Sequence, residues 1–284
     1  MRFIFTLLML MAQTAAFSQS SGQALLSELK TAKADTGKVR LFLELGRYYQ
    51  YEHPDSAILY ANKGIELSKK LDYRLGEALM LGQLGTTHEK HDNLELGARY
   101  MQEALSIYKE LKHNSGIAAQ YNGLGIIEGK KGNYNSATDY FLKALKLNEQ
   151  IKNRAGIVQS YIKLGVVNER NDNLDKALNF YLRAKEINGN DPSGLYPLLN
   201  NIGVVEAKKG DLKKALKYFE EGASLSDTSA HASIHLNLLM NAANALSELG
   251  RKREALDRLK LVLQKTRQFH FPEVEARVLL NLSN

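Results

Sequence analysis

Two pairs of histidines are the first residues in this 284-residue chain whose spacing could do chemistry. His88 and His91 stand in the run HisGluLysHisAsp (88–92), beside Glu89 and Asp92, and His231 and His235 are four apart, a spacing that places two imidazoles on one helix face. A metal site would need a third ligand and an open coordination position besides either pair. The plainer reading is histidine in a polar turn and near a helix start. No G-x-S-x-G elbow, phosphate-binding loop or dinucleotide fingerprint occurs, so no catalytic centre, metal or cofactor is expected.

The second set of candidate residues is rich in side-chain amides. Arg40, Arg47, Gln50 and Gln83 lie towards the N-terminus. Asn122, Gln159 and Lys163 fall in the middle, among Ala119, Ile126, Ile162, Val166 and Val204, and Asn200, Asn201, Asn237, Asn241 and Asn244 follow. An amide can both donate to and accept from a peptide backbone, so a row of them is suited to holding an extended chain. The competing reading is that these amides cap and cross-link neighbouring helices, because a buried amide must find a partner somewhere.

The elements that would position these residues are visible as a repeat. Gly46, Gly85, Gly125, Gly165, Gly203 and Ala243 each follow an apolar residue and are separated by 39, 40, 40, 38 and 40 positions. Twelve residues later stands a second small residue: Gly97, Ala137, Ala177, Ala215 and Ala255, with Ala57 at eleven in the first copy. Sixteen after the mark stands a large one: Met101, Phe141, Tyr181, Phe219 and Leu259. Small residues at a crossing let two helix axes approach closely while a large residue a turn later fills the adjoining groove. Each copy is therefore a helical hairpin. Turns at 130–133, 171–173 and 208–211 break the first helix, and Asn133, Asn173 and Asp211 are placed to cap the second. Pro54, Pro192, Pro197 and Pro272 are expected in connections or first helical turns.

The stretches LeuGlyArgTyrTyr (45–49), LeuGlyThrThrHis (84–88), LeuGlyIleIleGlu (124–128), LeuGlyValValAsn (164–168) and IleGlyValValGlu (202–206), with their downstream small and large residues, resemble the tetratricopeptide repeat. The consensus tryptophan is absent, and the period exceeds the usual 34 residues, which assigns extra length to the second helix or its connection. The resemblance implies an all-α fold, a right-handed α-solenoid of antiparallel helix hairpins. About six repeats begin near residues 38, 76, 116, 156, 195 and 233, and a partial seventh begins at 272. It also implies a protein or peptide ligand in a concave groove lined by the first helices, which is where the amides above would lie. The lysine, arginine and asparagine clamp that some members use on a C-terminal carboxylate is not reproduced, so that ligand is not expected.

Around the solenoid, 37–284, the ends read differently. Residues 1–18 have Arg2, an apolar run from Phe3 to Ala12 and small residues ending in Ser18, the layout of a secretory signal peptide cleaved after Ser18. Those small residues weigh against an uncleaved anchor. Without cysteine there is neither a disulfide framework nor a lipid-modified residue after the signal, so a periplasmic or secreted location is expected. Residues 19–36 are read as a capping helix with Leu25, Leu26 and Leu29 on one face. At the far end, Val278, Leu279 and Leu282 open a seventh copy. Either the preceding repeat covers them, or the chain is the front part of a longer protein, and the low charge of ValLeuLeuAsnLeuSerAsn favours the latter. The resemblance extends to the extracytoplasmic sensory region of bacterial histidine kinases and helix-turn-helix regulators, in which a membrane-spanning helix and an output domain follow. A membrane is a partner only in that case.

The net charge of +7 becomes +6 without Arg2, and the cations are scattered through helix-end turns beside acidic residues. Nucleic-acid binding wants a contiguous basic stripe with aromatics for stacking, and no such stripe is present.

Overall fold

The computed structural model describes residues 22–189, 191–226, 232–269 and 271–283. The leader at 1–18, its cleavage position and His231 lie outside them.

The described residues are helical throughout, with no strand among them. Helix α1 covers residues 22–31. It is followed by α2 (Thr36–Tyr49), α3 (Pro54–Lys70), α4 (Arg74–Lys90), α5 (Leu94–Glu110), α6 (Asn114–Lys130), α7 (Tyr134–Gln150) and α8 (Arg154–Arg170). Then come α9 (Leu174–Asn188), α10 (Pro192–Lys208), α11 (Leu212–Leu225), α12 (Ala232–Glu248), α13 (Lys252–Phe269) and α14 (Pro272–Ser283). Consecutive helices pack in pairs, the arrangement of a tetratricopeptide solenoid. The chain forms two compact units, Met1–Leu147 and Asn148–Asn284.

The 40-residue period has a simple anatomy. Helices α4 to α8 are 17 residues each, joined by connections of three residues, 91–93, 111–113, 131–133 and 151–153. The excess over 34 residues is thus shared by both helices of a repeat, where the sequence reading assigned it to the second helix or its connection. Each three-residue connection has one residue in the left-handed region: Asp72, Asp92, Lys112, Gly132, Lys152, Asp172, Gly210 and Gly250 all have φ between 51° and 87°. That conformation ends a helix and turns the chain back on itself. Asp211 then caps α11, its Oδ1 accepting from Lys214 N at 3.1 Å. Asn173 makes no such bond, and Asn133 donates its side-chain amide to Glu128 Oε2. The capping side chains that do occur include Asp35 before α2, His113 before α6 and Asn153 before α8, all at the starts of first helices.

Two boundaries move. The helix expected over 19–36 is described over 22–31, and Asp35 caps α2, which begins at Thr36. Pro197 is not in a first turn; it is the sixth residue of α10 and removes one interior helical bond. Pro54, Pro192 and Pro272 do open α3, α10 and α14.

Within the first unit α2, α4 and α6 are adjacent in turn and each packs on its hairpin partner; within the second, α10 touches α9, α11 and α12. A first helix therefore has neighbours on several sides. In α4 nearly every residue from Gly76 to Glu89 is buried, whereas α5 buries one stripe of Gly97, Met101, Ala104, Leu105, Ile107 and Tyr108. At the C-terminal end Val278 is fully buried in the core of the second unit, with Val262 and Val274, while Leu279 is exposed.

Candidate partner-binding surface

The marks and their large partners meet as the spacing requires. A Cβ on Gly125 would lie 2.6 Å from the Phe141 ring, on Gly165 2.3 Å from Tyr181, and on Gly203 2.5 Å from Phe219. At the α4–α5 crossing both residues are glycine, and a Cβ on Gly97 would lie 3.0 Å from the Gly85 carbonyl oxygen. These crossings fix the rotation of each first helix and so decide which residues remain on its open face.

In the second unit the candidate residues keep at least part of their surface accessible. Gln159 is exposed and Lys163 half-buried on α8, among half-buried Ile162 and Val166; Asn200 and Asn201 are half-buried on α10 beside Val204. On α12 Asn237 and Asn241 are half-buried and Asn244 is exposed. Asn241 Nδ2 donates to Asn200 Oδ1 at 2.9 Å, a bond across 41 residues that ties α12 to α10. It leaves Asn200 Nδ2 and Asn241 Oδ1 outside this bond while fixing where both carboxamides point. Next to this face, Arg154, Val158, Gln159, Ile162, Asn188 and Pro197 line a cleft of about 500 Å³. Arg154 donates to the Ile187 carbonyl oxygen at 2.8 and 2.6 Å, at the C-terminal end of α9.

The first unit is less open at the same positions. Arg40 and Arg47 are exposed, and Arg40 pairs with Glu44 at 3.5 Å. Gln50 Oε1 accepts from Gln83 Nε2 at 3.4 Å. Gln83 is only 6% exposed, packs on Gly46 and reaches Thr87 Oγ1, so it closes the junction between the first two repeats. The first copy has Ala61 where later copies have a large residue, and the Gln83 stem fills that space. Asn122 is half-buried on α6, and its Oδ1 is buried without a hydrogen-bond partner.

Of the two pairs, the described histidines His88, His91 and His235 have contacts within the fold. His88 stacks on Tyr100, with centroids 5.5 Å apart, and burial followed by the nearby His91 lowers its pKa. The His91 Nε2 lies 2.8 Å from the Gln50 carbonyl oxygen. His235 is buried, its Nδ1 3.1 Å from the Ala223 carbonyl oxygen and 3.2 Å from Ser226 Oγ. Among the described residues no group of three potential ligands is assembled.

The lysine-rich turns act between repeats. Lys130 Nζ bonds Glu89 Oε1 at 2.8 Å and Asp92 Oδ1 at 3.1 Å, and Lys208 Nζ bonds Glu169 Oε1 at 2.7 Å. Lys131 with Glu95 and Lys209 with Asp175 repeat the tie. Partial burial works against the Lys130 ammonium, but the two carboxylates outweigh it and raise its pKa. Lys130, Lys131, Lys208 and Lys209 thus all reach back to the preceding repeat.

Two repeated features escaped the sequence reading. Gly76, Gly116, Gly156 and Gly194 form a second series at spacings of 40, 40 and 38, near the start of each first helix. Over them fold Ser68, Tyr108, Asn148 and Asn188 from the last turn of the preceding second helix, each closer than 3 Å to where a Cβ would be. The period was legible; the reason for glycine was not, because its partners vary in type. The other feature is a ring pair inside the hairpin, Phe42 with Tyr60, Tyr121 with Tyr140 and Tyr161 with Phe180, at about 6 Å.

Comparison with known proteins agrees with this anatomy. Family models described as tetratricopeptide repeat match residues 76–150, 115–188 and 196–228, together about half of the chain. The chain belongs to the tetratricopeptide repeat family, whose fold is a scaffold for protein interaction. Among solved structures, BtubC (BKLC) of P. vanneervenii is similar at 14% identity and TM-score 0.69, over 76% of this chain and 92% of that one. The apo form of the quorum sensor NprR of B. thuringiensis is similar at 18% identity and TM-score 0.67, over 95% and 78%. A signal transduction ATPase with numerous domains and a tetratricopeptide repeat sensor, from Pyrococcus horikoshii, is similar at 15% identity and TM-score 0.71, over 95% of this chain and 42% of that one. At these identities the likeness is one of fold. No curated protein matched the chain.

Proposed function

We propose that this chain is a non-catalytic scaffold, exported from the bacterial cytoplasm to the periplasm or beyond, that holds an extended peptide segment of a protein partner on the open faces of its first helices. The observation that carries the reading is the Asn200–Asn241 bond, which joins successive first helices and orients amides on an open face flanked by Asn201, Asn237 and Asn244. Successive carboxamides at helix-to-helix spacing can meet the backbone of an extended chain. The neighbouring half-buried Ile162, Val166 and Val204 would take its apolar side chains. Nucleic acid is not the partner on this reading, because the sequence has no contiguous basic stripe and the lysines at 130–131 and 208–209 are engaged between repeats.

Changing Asn200, Asn241 and Asn244 together to alanine should weaken capture of a periplasmic partner on immobilised protein while leaving helical circular dichroism unchanged. Undiminished capture by the triple variant would sink the proposal. Export has its own test: N-terminal sequencing of protein recovered from the periplasm should begin at Gln19, and protein found only in the cytoplasm with Met1 intact would refute it.

The second reading, the sensory part of a larger signalling protein, is favoured by the likeness to a quorum sensor and to a repeat-built sensor. Under it the same face receives the ligand, and the gene continues through about 40 codons that complete the seventh hairpin before an apolar stretch of about 20 residues. Sequencing past Asn284 decides between the two.

A further inference from the structure

Arg154 opens α8 and lines the cleft between α8 and α10, where the fold holds its guanidinium in place. Nε and Nη2 donate to the Ile187 carbonyl oxygen at 2.8 and 2.6 Å, and Nη2 lies 3.4 Å from the Asn188 carbonyl oxygen. These are carbonyls that the C-terminal end of α9 leaves without helical partners. Gly189 lies against the same group, where a Cβ would stand 3.4 Å from Nη2. All three contacts go to neutral oxygens and use one edge of the guanidinium. The charge is positioned without being paired to a carboxylate among the described residues, and Nη1 takes no part in the bonds that hold it.

Beside this fixed cation the wall of the cleft is apolar. Val158 and Ile162 stand one turn apart on α8, and Pro197 faces the same space from α10. Asn188 is committed elsewhere: its Nδ2 donates to the Asp191 carbonyl oxygen at 2.9 Å, and its Oδ1 lies 2.2 Å from where a Cβ on Gly194 would be. Asp191 is exposed at the rim with an interaction of its own, and its charge disfavours a ligand that carries more than one negative group.

A guanidinium presents coplanar N–H donors that match a carboxylate, and the Nη1 side of this one remains for such a group. Two residues of an extended chain span about 6.7 Å, and one turn of α8 rises about 5.4 Å. Successive side chains on one side of an extended peptide therefore fall close to Arg154 and Val158. Gln159 and Ile162 belong both to this cleft and to the open face of α8, so a chain lying on that face runs past it.

We propose that this cleft selects a peptide segment with one glutamate or aspartate two residues from a branched apolar residue, the carboxylate on Arg154 and the apolar group against Val158, Ile162 and Pro197. The inference rests on the peptide-holding reading of the first helices and adds which residues the peptide carries.

The probe is the blocked pentapeptide acetyl-Ala-Glu-Ala-Leu-Ala-amide, which has one charge and no free terminus, compared with its glutamine isostere. NMR titration of the isotope-labelled protein should show saturable amide shifts at Arg154, Val158 and Gly194, with the glutamine peptide roughly fivefold weaker, as expected for one charge-assisted contact at an exposed site. Arg154→Gln should erase that preference, and Arg154→Lys should keep part of it. The wild-type ratio needs no variant, so loosening of α9 by either substitution leaves the test intact. Equal binding of the two peptides by the wild type, a preference that survives Arg154→Gln, or no saturable shift with the glutamate peptide would each overturn the assignment. Changing Asn200, Asn241 and Asn244 to alanine separates it from the amide row. Unchanged affinity with the glutamate preference kept refutes the row alone, whereas loss of affinity for two peptides that the wild type binds equally refutes the cleft alone.

Discussion

Gly125 and Gly129 occupy the same helix one turn apart, and their surroundings give them opposite roles. A Cβ on Gly125 would strike the Phe141 ring at 2.6 Å, whereas on Gly129 it would meet only the Ala137 Cβ at 3.9 Å. Gly125→Ala should therefore destabilise by about 1–3 kcal/mol through overpacking. Gly129→Ala should stabilise by about 0.5–1 kcal/mol, because alanine loses less backbone entropy in a helix. Urea denaturation of the two variants checks both signs at once. The sequence distinguished these glycines by period alone: Gly125 sits on the mark and Gly129 does not. It did not distinguish Gln83 from the other amides, since its burial depends on Ala61 being small in the neighbouring hairpin.

At the scale of the helix pair, the three-residue connections carry a measurable cost. Lys112 and Lys152 hold φ of 52° and 55°, in a region where a side chain costs about 1–2 kcal/mol and glycine little. Gly132, Gly210 and Gly250 answer the same need with φ of 82°, 87° and 77°. Replacing Lys112 with glycine should raise stability by about 0.5–1 kcal/mol after the entropy of glycine in the unfolded chain is counted. A rise in thermal midpoint measures it, and a fall would show that the lysine does something its exposure hides. The sequence marked the glycine turns and the Asn-Asp-Asn turn. It passed over those at Lys112 and Lys152, because lysine is no turn signal and only the packing of the next helix forces the conformation.

At the scale of the whole molecule, the buried tyrosines set the response to alkali. Burial pushes the Tyr108 phenol from 10.0 up to about 12, and burial with the adjacent Glu169 raises Tyr181 further. Between pH 10 and 12 the unfolded chain has released the Tyr108 proton and the folded chain still holds it. Stability is thus full below pH 10 and falls as pH rises towards 12. Denaturation midpoints measured across that range should decline, and Tyr108→Phe should decline less steeply. An unchanged slope in that variant would place the titration elsewhere.

The sequence by itself determined the fold class, the period and the small and large residues at the helix crossings after the first, because helix pairing needs small and large residues at fixed spacing, and spacing survives in a linear text. It also marked the amide row on the first helices. Only the tertiary structure decided which amides are open, which close a junction and which bond one another, and only it brought Arg154 onto the end of α9 and into one cleft with Pro197 of a separate helix. Those outcomes depend on what the neighbouring repeat presents across a shared boundary, and side chains that vary from copy to copy leave no period to read.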